Sequence, residues 1–340
     1  MRSDKHKNKR KWLKRSVLIL SLLIITTIGI IAGYYANEVR EFLNDVNKDT
    51  PEELQDTSIQ DKTLRDLQPI SFLIAGLDAE GSGESRRSDS IIIATVNPEK
   101  ESTKLLSIPR DTLVTLPESK IQEKFNAVYP EVGISGLITF VQDYLDIPIS
   151  FYTTLNFEGL VDLVDSVGGI TVNAPFAFTV QDSNETSDAI IIEEGFQKLN
   201  GEEALGYARM RKQDPRGDFG RQERQREVIA AVVDELVSLN SVANFTDILN
   251  AIRPNLQTNM SGQQMITFAS NYMSAANNIE SVTLSGEASY EYIERYNREL
   301  YVWNPYEESL KEAQHTLREH LNLDSNVNEE DIENPDELIE

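Results

Sequence analysis

The sequence predicts an α/β domain, a layered sandwich with a central mixed sheet flanked by helices, and in addition one N-terminal transmembrane helix. The domain is predicted first by two nearly continuous apolar runs, at residues 70–77 and 91–96, which are typical of strands buried on both faces of a sheet. It is predicted second by segments of helical spacing that alternate with further strand-like runs, as in layered α/β folds. The transmembrane helix is predicted by residues 16–35, which contain no charged side chain.

The first 35 residues combine a basic leader with this apolar segment. Residues 1–15 carry eight basic side chains and one acid. A helix of about 20 residues rises about 30 Å, which matches the hydrocarbon thickness of a bilayer. The positive charge before the segment predicts that the leader lies in the cytoplasm and that the remainder of the chain lies outside. A cleaved signal peptide is the alternative, although residues 32–34 offer no clear small-x-small cleavage site.

The remainder of the chain divides by composition into three parts. Residues 36–68 are mostly polar and charged, which favours a stalk between the membrane and the domain. The folded extracytoplasmic domain is predicted over residues 69–323. Residues 324–340 contain eight acids and no base, with few large apolar side chains, so this tail is expected to be disordered.

Within the domain, further strands and helices follow from the local pattern. The other predicted strands are residues 104–108, 151–155, 170–173 and 281–284. The predicted helices cover residues 134–145, 157–167, 201–210 and 218–239, and the region 240–280 is also expected to be helical. Asn200 is a candidate cap for the helix that begins at residue 201, and Gly168 and Gly169 are expected to end the helix before them.

Composition excludes several classes of chemistry. The chain of 340 residues has a formal net charge of −24, and because the leader is basic, the part outside the membrane is more acidic still. Such a surface repels phosphate backbones, so nonspecific binding to nucleic acid is not expected. The absence of cysteine excludes disulfides, thiol nucleophiles and iron–sulfur clusters. With only three histidines, neither a histidine-based triad nor a multi-histidine metal site is expected.

Nine arginines occupy short, widely separated segments of this acidic domain. They are Arg86, Arg87, Arg110, Arg209, Arg211, Arg216, Arg221, Arg224 and Arg226. Guanidinium groups bind phosphate oxygens in bidentate fashion and keep their charge at every relevant pH. A local cationic pocket in an anionic protein favours a specific phosphate or pyrophosphate ligand over a long polyanion. For any one of these arginines, a surface ion pair with the plentiful acids is the alternative.

Two aspartates flank the loop that joins the first two predicted strands. Asp78 follows the first strand and Asp89 opens the second. If the strands are neighbours, both carboxylates lie at one edge of the sheet, beside arginines that hold phosphate. Mg²⁺ takes few protein ligands and accepts phosphate oxygens, so a metal site is one interpretation. A turn residue at 78 and a strand-start cap at 89 are the alternatives.

Two further pairs of charged residues lie close together in sequence. Arg110 and Asp111 follow the third predicted strand, where a single ion pair at a turn is the alternative to a functional role. Arg209 and Arg211 are two residues apart, so in a continuous helix they would point to opposite sides. The two arginines therefore converge on one ligand only if a helix ends there, and Pro215 and Gly217 support such an end.

The last predicted cluster lies in the helix that begins near residue 218. Arg221, Arg224 and Gln225 share one face of this helix. The free amides of its first turn add positive potential, which favours an anion. Asp218 is a candidate both for the helix cap and for a catalytic group.

Five sequence blocks occur in order after the apolar segment. They are GLDAEGSGESRRSDSI, LLSIPRDT, KFNAVY, LNGEEALGYARMR and GDFGRQERQ. This series resembles the LytR-CpsA-Psr family of cell-wall glycopolymer transferases, closely over residues 69–235 and more loosely beyond. The resemblance implies an α/β domain anchored in the cell membrane of a Gram-positive envelope. It implies transfer of a polyprenyl-pyrophosphate-linked glycopolymer, of the wall teichoic acid or capsular type, to a sugar hydroxyl of peptidoglycan.

The resemblance also assigns roles to residues. Asp78 and Asp89 match the metal-associated acids of the family, which implies Mg²⁺ or Mn²⁺ as the cofactor. The residues that match pyrophosphate-binding positions are Arg86, Arg87, Arg110, Lys124, Arg209, Arg211, Arg221, Arg224 and Gln225. The catalytic candidates are Arg110, Asp111 and Asp218, and either aspartate is a candidate to accept the proton of the sugar hydroxyl.

Two other functions stay open at the level of the sequence. The same residues would suit a polyprenyl-pyrophosphate phosphatase that uses water as the acceptor. A non-catalytic lipid-binding or regulatory membrane protein is the second alternative. Direct binding of nucleic acid by the outer domain is not expected, because that domain is strongly acidic.

Overall fold

The computed structural model of the protein describes residues 58–77, 87–116, 119–182, 186–238 and 248–323. The predicted transmembrane segment, the acidic tail and the loop that contains Asp78 and Arg86 lie outside the described residues. Within those ranges, no helix has both the length and the apolar character needed to cross a membrane.

The strands of the described residues form one six-stranded sheet and several two-stranded ribbons. In chain order they are β1 (Ile70–Leu77), β2 (Ser88–Asn97), β3 (Ser102–Ser107), β4 (Leu113–Thr115), β5 (Gln122–Lys124), β6 (Phe151–Leu155), β7 (Ile170–Ala174), β8 (Phe178–Val180), β9 (Ile190–Ile192), β10 (Gly195–Leu199), β11 (Leu256–Thr258), β12 (Ile279–Val282), β13 (Gly286–Ile293) and β14 (Arg298–Pro305). The main helices are α1 (Ser58–Arg65), α2 (Val128–Leu145), α3 (Phe157–Ser166), α4 (Gly201–Arg209), α5 (Asp218–Ser238), α6 (Gly262–Asn271) and α7 (Glu307–His320).

The large sheet has the strand order β11-β6-β1-β2-β3-β12. Strand β1 pairs antiparallel with β2 and parallel with β6, and β2 pairs antiparallel with β3, so the sheet is mixed as the sequence predicts. Leu77 at the end of β1 pairs with Ser88 at the start of β2, which confirms that the first two predicted strands are neighbours. Because β3 runs antiparallel to β2, the segment after β3 returns to this same end of the sheet.

Apolar packing covers both faces of the sheet, as expected for strands with nearly continuous apolar sequence. On one face, Leu73, Ile93 and Leu106 pack in a core that includes side chains of α2 and α7. On the other face, Ile92 packs with partly buried Ile229 of α5. A second apolar cluster joins α3, α4 and α5 to the strands β7 to β10. The predicted layered α/β sandwich is therefore confirmed.

The folded domain begins earlier than the sequence predicts. Residues 58–65, assigned above to the stalk, form α1. Leu64 of this helix is buried in a cluster with Ile70 and Phe151, and the side-chain amide of Gln60 donates a 2.8 Å hydrogen bond to the carbonyl of Ser150. A single buried leucine in a polar segment creates no apolar periodicity, which is why the pattern does not reveal this helix.

The region 240–280 is not continuously helical, so that expectation is wrong. Residues 256–258 form the edge strand β11, which pairs antiparallel with β6. Helix α6 begins only afterwards, capped by the side chain of Ser261. The sequence pattern also gives no sign of the β13–β14 hairpin, because its strands are largely exposed and mix charged with aromatic side chains.

The predictions for the two helices that frame the arginine cluster are confirmed. Asn200 caps α4: its side chain accepts a hydrogen bond from the amide of Glu203, whose carboxylate accepts one from the amide of Asn200. Helix α4 ends at Arg209, as convergence of the paired arginines requires. Helix α5 begins at Asp218, directly after Gly217, whose φ of +58° suits glycine at the turn between the helices.

Candidate functional site

Asp89 and Arg110 meet at the end of the sheet where β2 begins and β3 finishes. The antiparallel register pairs Ile92 with Ser107, so the start of β2 lies beside the residues that follow β3. Nη1 of Arg110 donates a 3.0 Å hydrogen bond to Oδ1 of Asp89. Both side chains are partly buried, at 22% and 26% exposed. Residues 21 positions apart in sequence thus form one charged unit at the sheet edge.

The β4–β5 ribbon brings Lys124 to Asp111. Leu113 pairs with Lys124 across this ribbon, and Nζ of Lys124 donates a 2.7 Å hydrogen bond to Oδ1 of Asp111. The amide of Asn126 donates to the carbonyl of Arg110 at 3.1 Å, so the Lys-x-Asn block closes on the arginine–aspartate pair. Oδ2 of Asp111 lies 4.0 Å from Nε of Arg110, beyond hydrogen-bond distance.

The start of α5 supplies the third part of the cluster. Nη2 of Arg221 lies 2.7 Å from Oδ1 of Asp218, one turn earlier in the helix. The same nitrogen lies 3.5 Å from the carbonyl oxygen of Asp89, which joins α5 to the start of β2. Nε of Arg211 lies 3.8 Å from Oδ1 of Asp218, and Oδ2 accepts a 2.9 Å hydrogen bond from Gln222. Asp218 therefore orients two of the predicted pyrophosphate arginines.

The carboxylates of the cluster strengthen the charge of Arg110. Burial by itself lowers the pKa of this guanidinium, and it is the largest single effect. The negative charges of Asp89, Asp218 and Asp111, with the hydrogen bond to Asp89, outweigh burial and raise the pKa above its ordinary value. Arg110 is therefore a permanent cation surrounded by three acids.

The effects on the pKa of Arg221 sum in the opposite direction to those on Arg110. Burial is again the largest effect, and with the nearby positive charges of Arg110 and Arg211 it outweighs the neighbouring carboxylates and lowers the pKa of Arg221. The side chain is only 8% exposed. Arg221 remains charged, and an additional anion beside it would offset the cost of burying this cation.

Several buried polar atoms of the cluster have no hydrogen-bond partner. They are Nε of Arg110, Nε of Arg221 and Oδ1 of Asp218, whose short ion pair with Arg221 is not aligned for a hydrogen bond. Unsatisfied buried donors are costly in a folded protein, because each has lost its water. Two unsatisfied guanidinium donors on neighbouring arginines are what a bound oxyanion would satisfy.

Two of the other predicted pyrophosphate-binding arginines, Arg87 and Arg209, lie at the surface. Arg209 is exposed and its guanidinium stacks 4.4 Å above the ring of Phe157, and Arg87 is exposed at the start of β2. Gln225 is held by two hydrogen bonds. Its Oε1 accepts a 3.0 Å hydrogen bond from Ser90, and its Nε2 donates to the carbonyl of Ala208 at 3.4 Å. Gln225 thus ties α5 to both β2 and α4.

Arg224 does not face the cluster, which corrects its assignment as a pyrophosphate ligand. It is buried, and all three of its guanidinium nitrogens donate within the fold. Nε donates to the carbonyl of Tyr207 at 3.0 Å, Nη1 to Oδ2 of Asp214 at 2.6 Å, and Nη2 to the carbonyl of Met210. Arg224 therefore fixes the end of α4 and the loop after it, which carry Arg209 and Arg211.

Asp214, the acid that pairs with Arg224, is also fixed by hydrogen bonds and close packing. Burial by itself raises the pKa of Asp214, but hydrogen bonds from Arg224 and from the amide of Arg216 outweigh it and keep the pKa below its ordinary value. The carboxylate packs against Gly220, where an added Cβ would lie 1.7 Å from Oδ2 of Asp214. Glycine at this position is thus required by the ion pair.

Of the two predicted metal ligands, the structure describes one, Asp89. Asp89 presents a partly exposed carboxylate at a strand end, with one oxygen engaged by Arg110. In the described ranges, no group of three or more acidic or histidine side chains is placed to hold a metal ion. A carboxylate beside phosphate-binding guanidinium groups nevertheless matches the donor set that Mg²⁺ accepts, in which phosphate oxygens and water complete the coordination. Asp78, the second predicted ligand, lies outside the described residues.

Sequence reasoning missed the contribution of the β13–β14 hairpin to this site. The amide of Trp303 donates a 2.9 Å hydrogen bond to the carbonyl of Asp111. The ring of Trp303 makes an edge contact with Phe219, the residue after Asp218, at 5.8 Å between ring centroids. Trp303 thus connects two catalytic candidates, and the only signal in the sequence was a tryptophan in a polar segment.

Comparisons with known proteins show which family and which solved structures the chain is similar to. The model of the LytR_cpsA_psr family matches residues 30–319. The polyisoprenyl-teichoic acid–peptidoglycan teichoic acid transferase TagU of Halalkalibacterium halodurans is 36% identical over 322 residues, which cover 92% of this chain and 100% of that protein. The crystal structure of Bacillus subtilis TagV has a TM-score of 0.66 at 34% identity, covering 75% of this chain and 98% of TagV. The structure of TagT bound to LIIa-WTA has a TM-score of 0.62 at 28% identity, covering 75% of this chain and 91% of TagT.

Proposed function

The chain belongs to the LytR-CpsA-Psr family, and we propose that it transfers a teichoic-acid-type glycopolymer from a polyprenyl-pyrophosphate carrier to a sugar hydroxyl of peptidoglycan. The hydroxyl oxygen attacks the phosphorus that carries the glycan, the bridging P–O bond of the pyrophosphate breaks, and the products are a phosphodiester link between the two polymers and polyprenyl monophosphate. The relatives named as teichoic acid transferases support this substrate class over a capsular polysaccharide. The observation that carries the proposal is the pair of unsatisfied guanidinium donors, on Arg110 and Arg221, beside Asp89 and Asp218.

Arg110 and Arg221 hold the pyrophosphate in this proposal. Phosphoryl transfer depends on neutralising the charge of the transferred group and on aligning the attacking and leaving oxygens, more than on covalent help from the protein. Arg211 adds a third guanidinium through its contact with Asp218. Arg87 and Arg209, both exposed, meet the outer part of the anionic donor.

Asp111 is the better of the two candidates for the general base. Oδ2 of Asp218 accepts a hydrogen bond from Gln222, and Oδ1, although not aligned for a hydrogen bond, lies in ion pairs with Arg221 and Arg211. Asp111 is held by one hydrogen bond from Lys124 to Oδ1, so its Oδ2 is available to accept the proton of an incoming hydroxyl. In this assignment Asp218 positions the arginines and Asp111 activates the acceptor.

Asp89 would hold a divalent cation together with Asp78, which lies eleven positions earlier in the same motif block. When bound, Mg²⁺ or Mn²⁺ supplies positive charge to the pyrophosphate oxygens. Asp89 also orients Arg110 through its hydrogen bond, so the same carboxylate links the cation site to the pyrophosphate site.

The N-terminal segment places this chemistry at the membrane. Residues 16–35 anchor the chain, with the basic leader inside and the domain outside. A single anchor keeps the site close to a carrier lipid in the same bilayer and raises its effective concentration. Protease added to intact protoplasts is expected to digest the domain, and a protected domain would contradict this topology.

The direct test is reconstitution of the full chain in detergent. Wild type is incubated with a defined polyprenyl-pyrophosphate glycan, peptidoglycan strands and Mg²⁺, and the bond formed is identified by mass spectrometry. Transfer with a retained phosphate is the expected result. Release of the free phosphorylated glycan at an equal rate with and without peptidoglycan would show a phosphatase instead. Arg318→Ala, an arginine paired with Asp146 far from the cluster in sequence, is the matched control and is expected to keep full activity.

A further inference from the structure

The β13–β14 hairpin carries a row of aromatic side chains that begins at the candidate base. Trp303 pairs with Ala288 and Tyr301 pairs with Tyr290 across the hairpin. Side chains directly opposite one another, and those two residues apart along a strand, share one face of a ribbon. Trp303, Tyr301, Tyr290 and Tyr292 therefore line one face of the hairpin, and we call this row the aromatic face.

The inner end of the aromatic face is in contact with the site. Trp303 is buried and its amide is hydrogen bonded to the carbonyl of Asp111. Nζ of Lys124, the residue that holds Asp111, lies 5.9 Å from the centre of the Tyr301 ring. A ligand on the aromatic face would thus extend directly from the carboxylate that accepts the hydroxyl proton.

The outer end of the aromatic face is open. Tyr290 is 70% exposed and Tyr292 is 53% exposed. The rings of Tyr290 and Tyr301 meet edge to face, with centroids 6.0 Å apart. A contiguous aromatic surface of this kind, exposed to solvent beside a catalytic cluster, indicates a binding surface.

Contacts at its turn tie the hairpin to α2 and restrain the side chain of Tyr292. Nη1 of Arg295, at the hairpin turn, lies 2.6 Å from a carboxylate oxygen of Glu131 in α2. The hydroxyl of Tyr292 donates a 2.5 Å hydrogen bond to the side chain of Asn297. Binding to a preorganised surface loses less conformational entropy than binding to a mobile one.

The charge of the hairpin selects among ligands. Residues 286–305 contain four glutamates and two arginines, and one of those arginines is paired with Glu131. An anionic glycopolymer, a pyrophosphate or an anionic membrane surface is repelled by this excess of acid. A chain of uncharged sugars is not repelled, and its apolar C–H faces stack on tyrosine rings while its hydroxyl groups remain hydrated.

We propose that the aromatic face binds the uncharged glycan strand of the acceptor and guides its hydroxyl to Asp111. The proposal rests on the proposed transferase function, which it deepens by assigning donor and acceptor to different surfaces. The donor pyrophosphate binds at the arginines around Arg110 and Arg221. The acceptor strand runs along Tyr290 and Tyr301 and reaches Asp111 beside Lys124, which contacts both the Tyr301 ring and the Asp111 carboxylate.

The first experiment measures glycan binding without any donor lipid, so its result does not depend on transfer. Full-length protein in detergent is titrated with a soluble, uncharged tetramer of β-1,4-linked N-acetylglucosamine and is sedimented with teichoic-acid-free peptidoglycan. Tyr290→Ala is expected to weaken binding about five- to tenfold, as loss of one stacked ring does. Tyr290→Phe keeps the ring and is expected to bind nearly as wild type. Phe196→Ala removes an exposed aromatic from β10, in another sheet, and is the matched control.

The second experiment measures transfer with the same variants. Tyr290→Ala is expected to raise the KM for the acceptor about five- to tenfold while kcat and donor-lipid binding stay unchanged. If wild type catalyses no transfer, the proposed function fails but the binding result still decides the assignment of the aromatic face. Absence of glycan binding by wild type would overturn the inference, as would equal binding by Tyr290→Ala. A Tyr290-dependent dimer in sedimentation velocity, or Tyr290-dependent binding to phospholipid vesicles without glycan binding, would assign the face to a second copy or to the membrane instead.

Discussion

Arg221 and Arg224 lie one turn apart in the same helix, yet their surroundings are opposite. Arg224 donates to two carbonyls and one carboxylate, and each of its guanidinium nitrogens has a partner. Arg221 is almost as deeply buried, but its Nε has no hydrogen-bond partner and its nearest acid is misaligned. The guanidinium donors of Arg224 are thus satisfied within the fold, whereas Arg221 keeps a buried donor without a hydrogen-bond partner.

The difference teaches how the fold separates stability from function. The bracket formed by Arg224, Asp214 and Gly220 contributes to the rigidity of the loop that carries Arg209 and Arg211. The cluster of Arg110, Arg221 and the surrounding acids keeps unsatisfied donors at the cost of stability, as preorganised sites commonly do. Variants that change one region should therefore leave the observable of the other largely intact.

The largest loss of stability is expected from removal of the Arg224–Asp214 ion pair. Arg224→Met leaves the carboxylate of Asp214 buried without its partner, which should lower the free energy of unfolding by about 3–5 kcal/mol. Arg221→Met, the matched variant one turn away, removes the nearest cation from Asp218, but this carboxylate is partly exposed and keeps its hydrogen bond from Gln222, so the cost should be smaller, about 1–2 kcal/mol. Urea denaturation followed by circular dichroism measures both. Equal losses of stability in the two variants would remove the distinction between the regions.

Substitution of Arg110 or Arg221 by lysine is expected to lower activity and to leave stability nearly unchanged. Lysine keeps the charge of arginine but lacks the planar fork that binds two phosphate oxygens, so Arg110→Lys and Arg221→Lys should each lower the rate of glycan transfer about ten- to a hundredfold. The melting temperature of both variants should stay close to that of wild type. Wild-type kinetics combined with a lowered melting temperature would instead assign these arginines to the structural group.

A smaller loss of stability is expected when a methyl group is added beside the Arg224–Asp214 ion pair and no charge is removed. Gly220→Ala places a methyl group against the carboxylate of Asp214 and should destabilise the fold by about 1–3 kcal/mol. Gly168→Ala is an informative control, because a Cβ there meets nothing within 4 Å and any cost reflects only its positive φ. A fully stable Gly220→Ala variant would show that Asp214 is free to move, contrary to the close packing observed.

The smallest effect is expected from His320, a buried histidine elsewhere in the core with a hydrogen-bond partner for each ring nitrogen. His320 is buried, with Oγ1 of Thr95 2.7 Å from Nδ1 and Oγ of Ser102 3.0 Å from Nε2. Burial, with the positive charges of Lys104 and Lys100, lowers the pKa of His320 to about 4. The neutral ring is favoured in the folded state, so its stabilisation is complete above the unfolded pKa of about 6.5 and is lost as the pH falls from there toward 4.

The pH dependence is tested by comparing unfolding free energies at pH 7 and at pH 4.5. Wild type should lose about 1–2 kcal/mol that His320→Gln does not lose over the same interval. His315→Gln removes an exposed histidine from the same helix and should retain the wild-type dependence. An identical pH dependence in wild type and His320→Gln would show that the ring is hydrated in the folded state.

The sequence by itself determined the parts of the molecule that depend on neighbours along the chain. The apolar runs predicted β1 and β2, and Asn200 predicted the start of α4, because strand burial and helix capping are read from residues a few positions apart. The end of α4 at Arg209 followed from the same kind of local reasoning. The five ordered motif blocks likewise indicated the family before any contact was known.

The tertiary structure alone decided which of the predicted arginines are satisfied within the fold. The partners of Arg224 lie 10 to 17 positions away, and the carbonyl that Arg221 approaches lies 132 positions away. The hairpin that carries the aromatic face was equally hidden, because its strands are exposed and their register is set by pairing with each other. A guanidinium has the same chemistry at both positions of α5, and only the acceptors that the fold brings to it decide whether its donors are satisfied.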